Sequence, residues 1–84
     1  MRKSLFSENY KRFLDLLREV RERAGLTQGQ LAERLETTQS VISKCERGER
    51  RLDIVELKAW CEALDLALPS FISELEETLN KGNK

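Results

Sequence analysis

Eighty-four residues suffice for one small core and are too few for two. Lys and Arg number 15 and Asp and Glu number 15, so the net charge is zero and only an uneven distribution can draw this chain to a polyanion. Two cysteines outside any Cys-x-x-Cys pair, with His 0, exclude the usual zinc sites, and no apolar run nears the ~20 residues of a membrane-spanning helix.

The charge is in fact separated along the chain. Residues 1–24 hold seven basic and four acidic side chains, 43–51 hold four and two, and 52–80 hold one and seven. Met1-Arg-Lys is not followed by the apolar core of a signal peptide, so a cytoplasmic protein with no cofactor is expected. Cys45 and Cys61 fall on apolar helical faces and read as small buried thiols of a reducing compartment.

Taken in chain order, residues 1–6 read as a loose N-terminus whose Leu5 and Phe6 can staple onto the first turn. Ser7 then caps a first helix, predicted to run to Ala24. Tyr10, Phe13, Leu14, Leu17 and Val20 recur at three and four residues and form its apolar stripe. Gly25 ends it in the left-handed region. Thr27-Gln-Gly-Gln30 is a capping box opening a second helix over about 28–35, with Leu31, Ala32 and Leu35 inward. After the turn Glu36-Thr-Thr, Thr38 caps a third helix over about 39–47. At 100° per residue, Gln39, Ser40, Ser43, Lys44 and Arg47 share an arc of about 140°, opposite Ile42, Cys45 and Val41. The polar arc is short-chained, with cations toward its C-terminal end, and suits hydrogen bonding better than a Glu–Lys surface would.

Beyond Gly48 and the loop Glu49-Arg50-Arg51-Leu52, Asp53-x-x-Glu56 is an acidic capping box for a fourth helix, with Ile54, Leu57, Trp60, Cys61 and Leu64 as its inner face. Pro69 suits the first turn of a fifth helix, which carries Phe71, Ile72, Leu75 and Leu79 at apolar spacing through about residue 80; 81–84 is a polar tail. An all-α chain of five helices is the expectation. No nucleophile–base pair, metal cluster or phosphate loop supports an enzyme.

Two short capped helices separated by a tight turn form a helix-turn-helix, whose second helix can enter the major groove of DNA. Over roughly 17–66 the sequence, through LREVRERAGLTQGQLAERL and TTQSVISKCERGERRLDIVEL, resembles the phage lambda repressor and Cro family of regulators, also called xenobiotic-response-element-type. It is similar to the short single-domain bacterial and phage members. The resemblance implies a five-helix, lambda-repressor-like DNA-binding domain acting as a homodimer on a palindromic operator. It further implies base reading by Gln39, Ser40, Ser43 and Lys44, and backbone contacts from Gln28, Thr38, Arg47, Arg50 and Arg51. Gln28 would also buttress Gln39, and Arg21 and Glu46 would form a buried ion pair. Val41 stands between core and a thymine methyl. The family often has glycine where this chain has Glu36 and Asp65, and a residue other than glycine at positive φ costs roughly 1 kcal/mol.

The 69–80 helix is too acidic for DNA and its apolar stripe exceeds what a small core needs, so dimerisation through Phe71, Ile72, Leu75 and Leu79 is expected, with Trp60 read first as core and having the dimer interface as its rival role. A repressor is the primary expectation. An antitoxin with a toxin partner, a restriction-system controller, or a protein-interaction module with weak DNA affinity are alternatives on the same fold.

Overall fold

The structure, a computed structural model, describes residues 8–82. Its elements are α1 (Glu8–Arg23), α2 (Gln28–Arg34), α3 (Gln39–Glu46), α4 (Ile54–Ala63) and α5 (Leu68–Gly82), with no strand among the described residues. The expected Ser7 cap and the Leu5–Phe6 staple lie outside those residues.

The middle helices begin where their caps dictate. Thr27 accepts from the Gln30 backbone while the Gln30 side chain accepts from the Thr27 backbone, and Asp53 and Glu56 do the same for α4. Thr38 accepts from the Val41 backbone N–H at 3.3 Å and starts α3. Each cap satisfies donors that the first helical turn leaves unpaired. Short helices such as α2 and α3 are marginal alone, and packing on each other, with α3 also on α1, holds them.

The core gathers one stripe from every helix: Leu17 and Val20 from α1, Leu31 from α2, Ile42 and Cys45 from α3, Trp60 and Cys61 from α4, Phe71 from α5. Phe13 meets Phe71 edge-on at 6.1 Å between centroids, joining α1 to α5. Trp60 is 1% exposed and its indole Nε1 has no hydrogen-bond partner. An unmet donor costs about 1–3 kcal/mol, which the burial of so large a ring offsets.

Three expectations are corrected. Ile54 shares an angular face with Cys61, yet it is 59% exposed, because the first turn of α4 projects past the end of the core. Trp60 and Phe71 are sealed inside the protomer and have no surface to offer a second chain; of the five residues assigned to a dimer interface, only Ile72, Leu75 and Leu79 retain any.

Both places where the family often carries glycine are left-handed here, with φ of 56° at Glu36 and 57° at Asp65. Gly48, at φ 80°, also faces Leu14, whose Cδ1 would lie 2.9 Å from an added Cβ. Glu36→Gly and Asp65→Gly should therefore each stabilise the fold by about 0.5–1 kcal/mol, the relieved strain exceeding the added chain entropy. Gly48→Ala should destabilise it by more than 1 kcal/mol, on the order of the left-handed penalty plus the clash. Urea unfolding monitored by circular dichroism measures all three.

Candidate nucleic-acid interface

The site is built from the inside outward, beginning at a buried carboxylate. Glu46, at the last turn of α3, receives Arg21 Nε at 2.6 Å on Oε2 and Arg21 Nη2 at 3.0 Å on Oε1. The two side chains are 9% and 4% exposed, and Arg21 spends Nη1 on the Leu26 carbonyl at 2.8 Å. Hydrogen bonding to Glu46 raises the Arg21 pKa further against the opposing effect of burial. This fork clamps α3 to α1 and to the chain entering α2, so the attitude of α3 follows from the first helix.

Glu46 Oε1 also accepts from Gln28 Nε2 at 3.0 Å, and Gln28 Oε1 accepts from Gln39 Nε2 at 3.4 Å. A continuous chain of polar contacts thus runs from α1 through the buried carboxylate to the first residue of α3. The buttressing of Gln39 by Gln28 is visible in it; the link from Gln28 back to Glu46 was not apparent in the sequence, since the two stand 18 positions apart.

On the outer side of α3, Gln39, Ser40, Lys44 and Arg47 are exposed and Ser43 is half-buried, while Ile42 and Cys45 are buried and Val41 packs partly against the core. Thr38 ends next to this face, its oxygen occupied by capping and its O–H left to donate. The Ser43 hydroxyl accepts from Arg47 Nη1, which leaves its O–H as the donor.

The arginines are less free than the sequence suggested. Arg47 pairs with Glu49 at 2.9 Å and Arg50 with Glu56 at 2.8 Å, so either must share or exchange a carboxylate before it can clamp a phosphate. The signals were present, Glu49 two positions past Arg47 and Glu56 in the capping box, but a second role for Glu56 was not drawn from them. Each arginine holds its partner's carboxyl below the usual range, chiefly by hydrogen bonding. The small stability from these exposed pairs is present above the ordinary carboxylate pKa and is lost as pH falls through the lowered one. Arg51 lies over the Tyr10 ring at 5.0 Å and ties the loop to α1. Burial pushes both cysteine thiols up, Cys45 against the opposing effect of Arg50. Neither is primed for chemistry.

Two packed helices at a tight turn, with the second showing a polar outer face over a buried one, define a helix-turn-helix. The model of the helix-turn-helix domain family matches residues 12–70. A solved structure of an XRE-family like protein from Pseudomonas syringae pv. tomato is 41% identical, with a TM-score of 0.80, over 89% of this chain and 92% of that one. Comparison with curated proteins finds no match. The chain belongs to the helix-turn-helix domain family, on the xenobiotic-response-element-type branch, and is a DNA-binding transcriptional regulator. Among the described residues no helix is long and apolar enough to cross a membrane.

Arg21→Met should destabilise the fold by about 3–5 kcal/mol, because it strands a buried carboxylate. Arg21→Met combined with Glu46→Met should recover most of that loss, two apolar chains of similar length filling the same space. A double-mutant cycle from urea unfolding measures the coupling.

Proposed function

We propose that the protein is a homodimeric repressor that reads a palindromic operator through α3 and acts by occluding a promoter. The observation that carries the reading is the outer face of α3. Gln39, Ser40, Ser43 and Lys44 stand along one short helix held rigidly from behind, with Thr38 and the 47–51 loop at its two ends. Gln39 reads a base through its amide, Ser40 and Ser43 allow close approach, and Lys44 donates to guanine or a phosphate. Gln28, Thr38, Arg47, Arg50 and Arg51 face the sugar-phosphate backbone.

Dimerisation is proposed through the outward apolar remainder of α5. Ile72 is 41% exposed and Leu75 and Leu79 are half-buried. A two-fold axis there sets the two α3 helices about 34 Å apart, one turn of B-DNA. The acidic α4–α5 half is then turned from the duplex.

Two observations favour a second reading, a protein-interaction module with weak DNA affinity. The carboxylates on Arg47 and Arg50 and the zero net charge both lower the attraction to DNA.

Salt titration of DNA binding separates the two. A DNA reader loses affinity steeply with salt, and Lys44→Ala should reduce the log–log slope by about one if Lys44 meets a phosphate. Gln39→Ala should cost roughly 1–3 kcal/mol on the operator and nothing on random duplex. Glu49→Gln should tighten binding to every duplex by releasing Arg47. No enriched palindrome in random-sequence DNA selection, with only weak affinity for any duplex, would instead favour the protein-interaction module.

A further inference from the structure

α3 packs closely on α2 and α1 and only loosely on α4, and the gap between α3 and α4 is a half-open cavity of about 180 Å³. We propose that this cavity binds a small one-ring carboxylate, and that the bound acid weakens DNA binding by drawing Arg50 away from the sugar-phosphate backbone. The second half rests on the reading of Arg50 as a phosphate contact; the first half does not.

The room comes from small side chains. Cys45 of α3 and Ala59 of α4 both line the gap, among the larger Leu35, Val41, Leu52 and Trp60. An apolar cavity of about 150 Å³ is enough to hold benzene, so the space suits a single ring. It lies behind α3, on the side turned away from Ser40 and Lys44.

Arg50 and Glu56 supply the charged part of the lining, and they are not equally satisfied. Both Glu56 oxygens are engaged, Oε1 by the Asp53 backbone N–H at 3.0 Å and Oε2 by Arg50 Nη2 at 2.8 Å. Arg50 Nη1, by contrast, reaches the Arg51 carbonyl at 3.5 Å and the Cys45 Sγ at 3.8 Å, both long contacts, the second to a residue of the cavity wall. A weakly used guanidinium donor directed at the cavity calls for a stronger acceptor. A carboxylate is the one it holds best, through a two-pronged, charge-assisted contact. A ligand amine would instead meet carboxylate oxygens already taken.

Giving up Glu56 costs Arg50 little, because the pair is partly exposed, with side chains 43% and 37% accessible. Glu56 keeps the Asp53 N–H and its place in the first turn of α4, where the helix dipole favours its charge. Arg50 cannot serve the acid and a phosphate at once. Acid and DNA therefore compete for one guanidinium, and by linkage each lowers the other's affinity by the same factor.

Trp60 is the one tryptophan of the chain, so its indole N–H gives a single resonance in two-dimensional NMR. Benzoate titrated into the full chain without DNA should move that resonance saturably, with roughly millimolar affinity or tighter. Benzyl alcohol, of similar size without the charge, should bind several-fold more weakly. Ala59→Leu fills the cavity from an exposed helical position and Arg50→Gln removes the cation; both should lose most of the response to benzoate, with thermal unfolding showing that each is folded. Benzoate should also weaken DNA binding by the parent several-fold beyond sodium chloride at equal concentration, and should do no more than the chloride to Ala59→Leu. No saturable shift, an equal response to benzyl alcohol, or an undiminished response in either folded variant overturns the site. Benzoate binding with DNA affinity unchanged overturns the coupling. If the parent binds no duplex even without benzoate, the DNA reading has failed and the coupling falls with it, while the indole titration still decides the site.

Discussion

The Arg21–Glu46 fork is the interaction on which the rest of the structure depends. An eight-residue helix does not hold its own shape in water, and α3 is that short. It rests on α2 and α1 through Ile42 and Cys45, which fix its distance from the core, but apolar contacts are poor at fixing a helix in rotation and slide. A two-pronged, buried ion pair 25 positions apart in sequence fixes both. Because Glu46 sits inward on the same helix that shows Gln39, Ser40 and Lys44 outward, the pair also sets the angle at which those side chains leave the protein.

Charge is distributed here to serve position before attraction. Arg21 is buried, Arg23 bridges α1 to Glu74 of α5 and to Glu19, and Arg34 donates to the Ala63 carbonyl at 2.7 Å, linking α2 to the end of α4. Arg47 and Arg50 each hold a carboxylate. The cations that a basic surface would leave in solvent are thus largely engaged within the chain. In the proposed function, a regulator built this way would rely on hydrogen-bonding geometry for selectivity and draw less on nonspecific phosphate affinity.

Much of this was legible in the sequence because the signals were local. The two capping boxes, the threonine before α3, the glycine after α1 and the three-and-four spacing of apolar residues each concern a few neighbouring positions, and they marked the helices to within a residue or two. The left-handed Glu36 and Asp65 were legible only through family resemblance, since nothing in either residue's own chemistry asks for positive φ. Ile54 was misplaced because periodicity reports an angle around a helix and says nothing of where along it the core stops. Trp60 and Phe71 were assigned to an interface for a similar reason, an apolar stripe being the same whether α1 or a second chain covers it. The contact of Gln28 with Glu46 is long-range, and those of Arg47 with Glu49 and Arg50 with Glu56, though near in sequence, depend on the turn geometry after α3. Of the site, the outer residues of α3, the Gln28–Gln39 contact and the Arg21–Glu46 pair could be named from the sequence and its family resemblance, and the Gln28–Glu46 link that joins them into one chain could not.

The proposed surface that meets DNA is α3, with the turn before it and the loop after it. Backbone amide shifts in two-dimensional NMR, followed as a selected duplex is titrated into the full chain, test it most directly. The largest changes should fall on Gln28, on 38–47 and on the 48–52 loop, with the exposed side of α5 moving little. Changes centred on Ile54 and Val55 or on the acidic face of α5, with Gln39 to Lys44 unmoved, would contradict it.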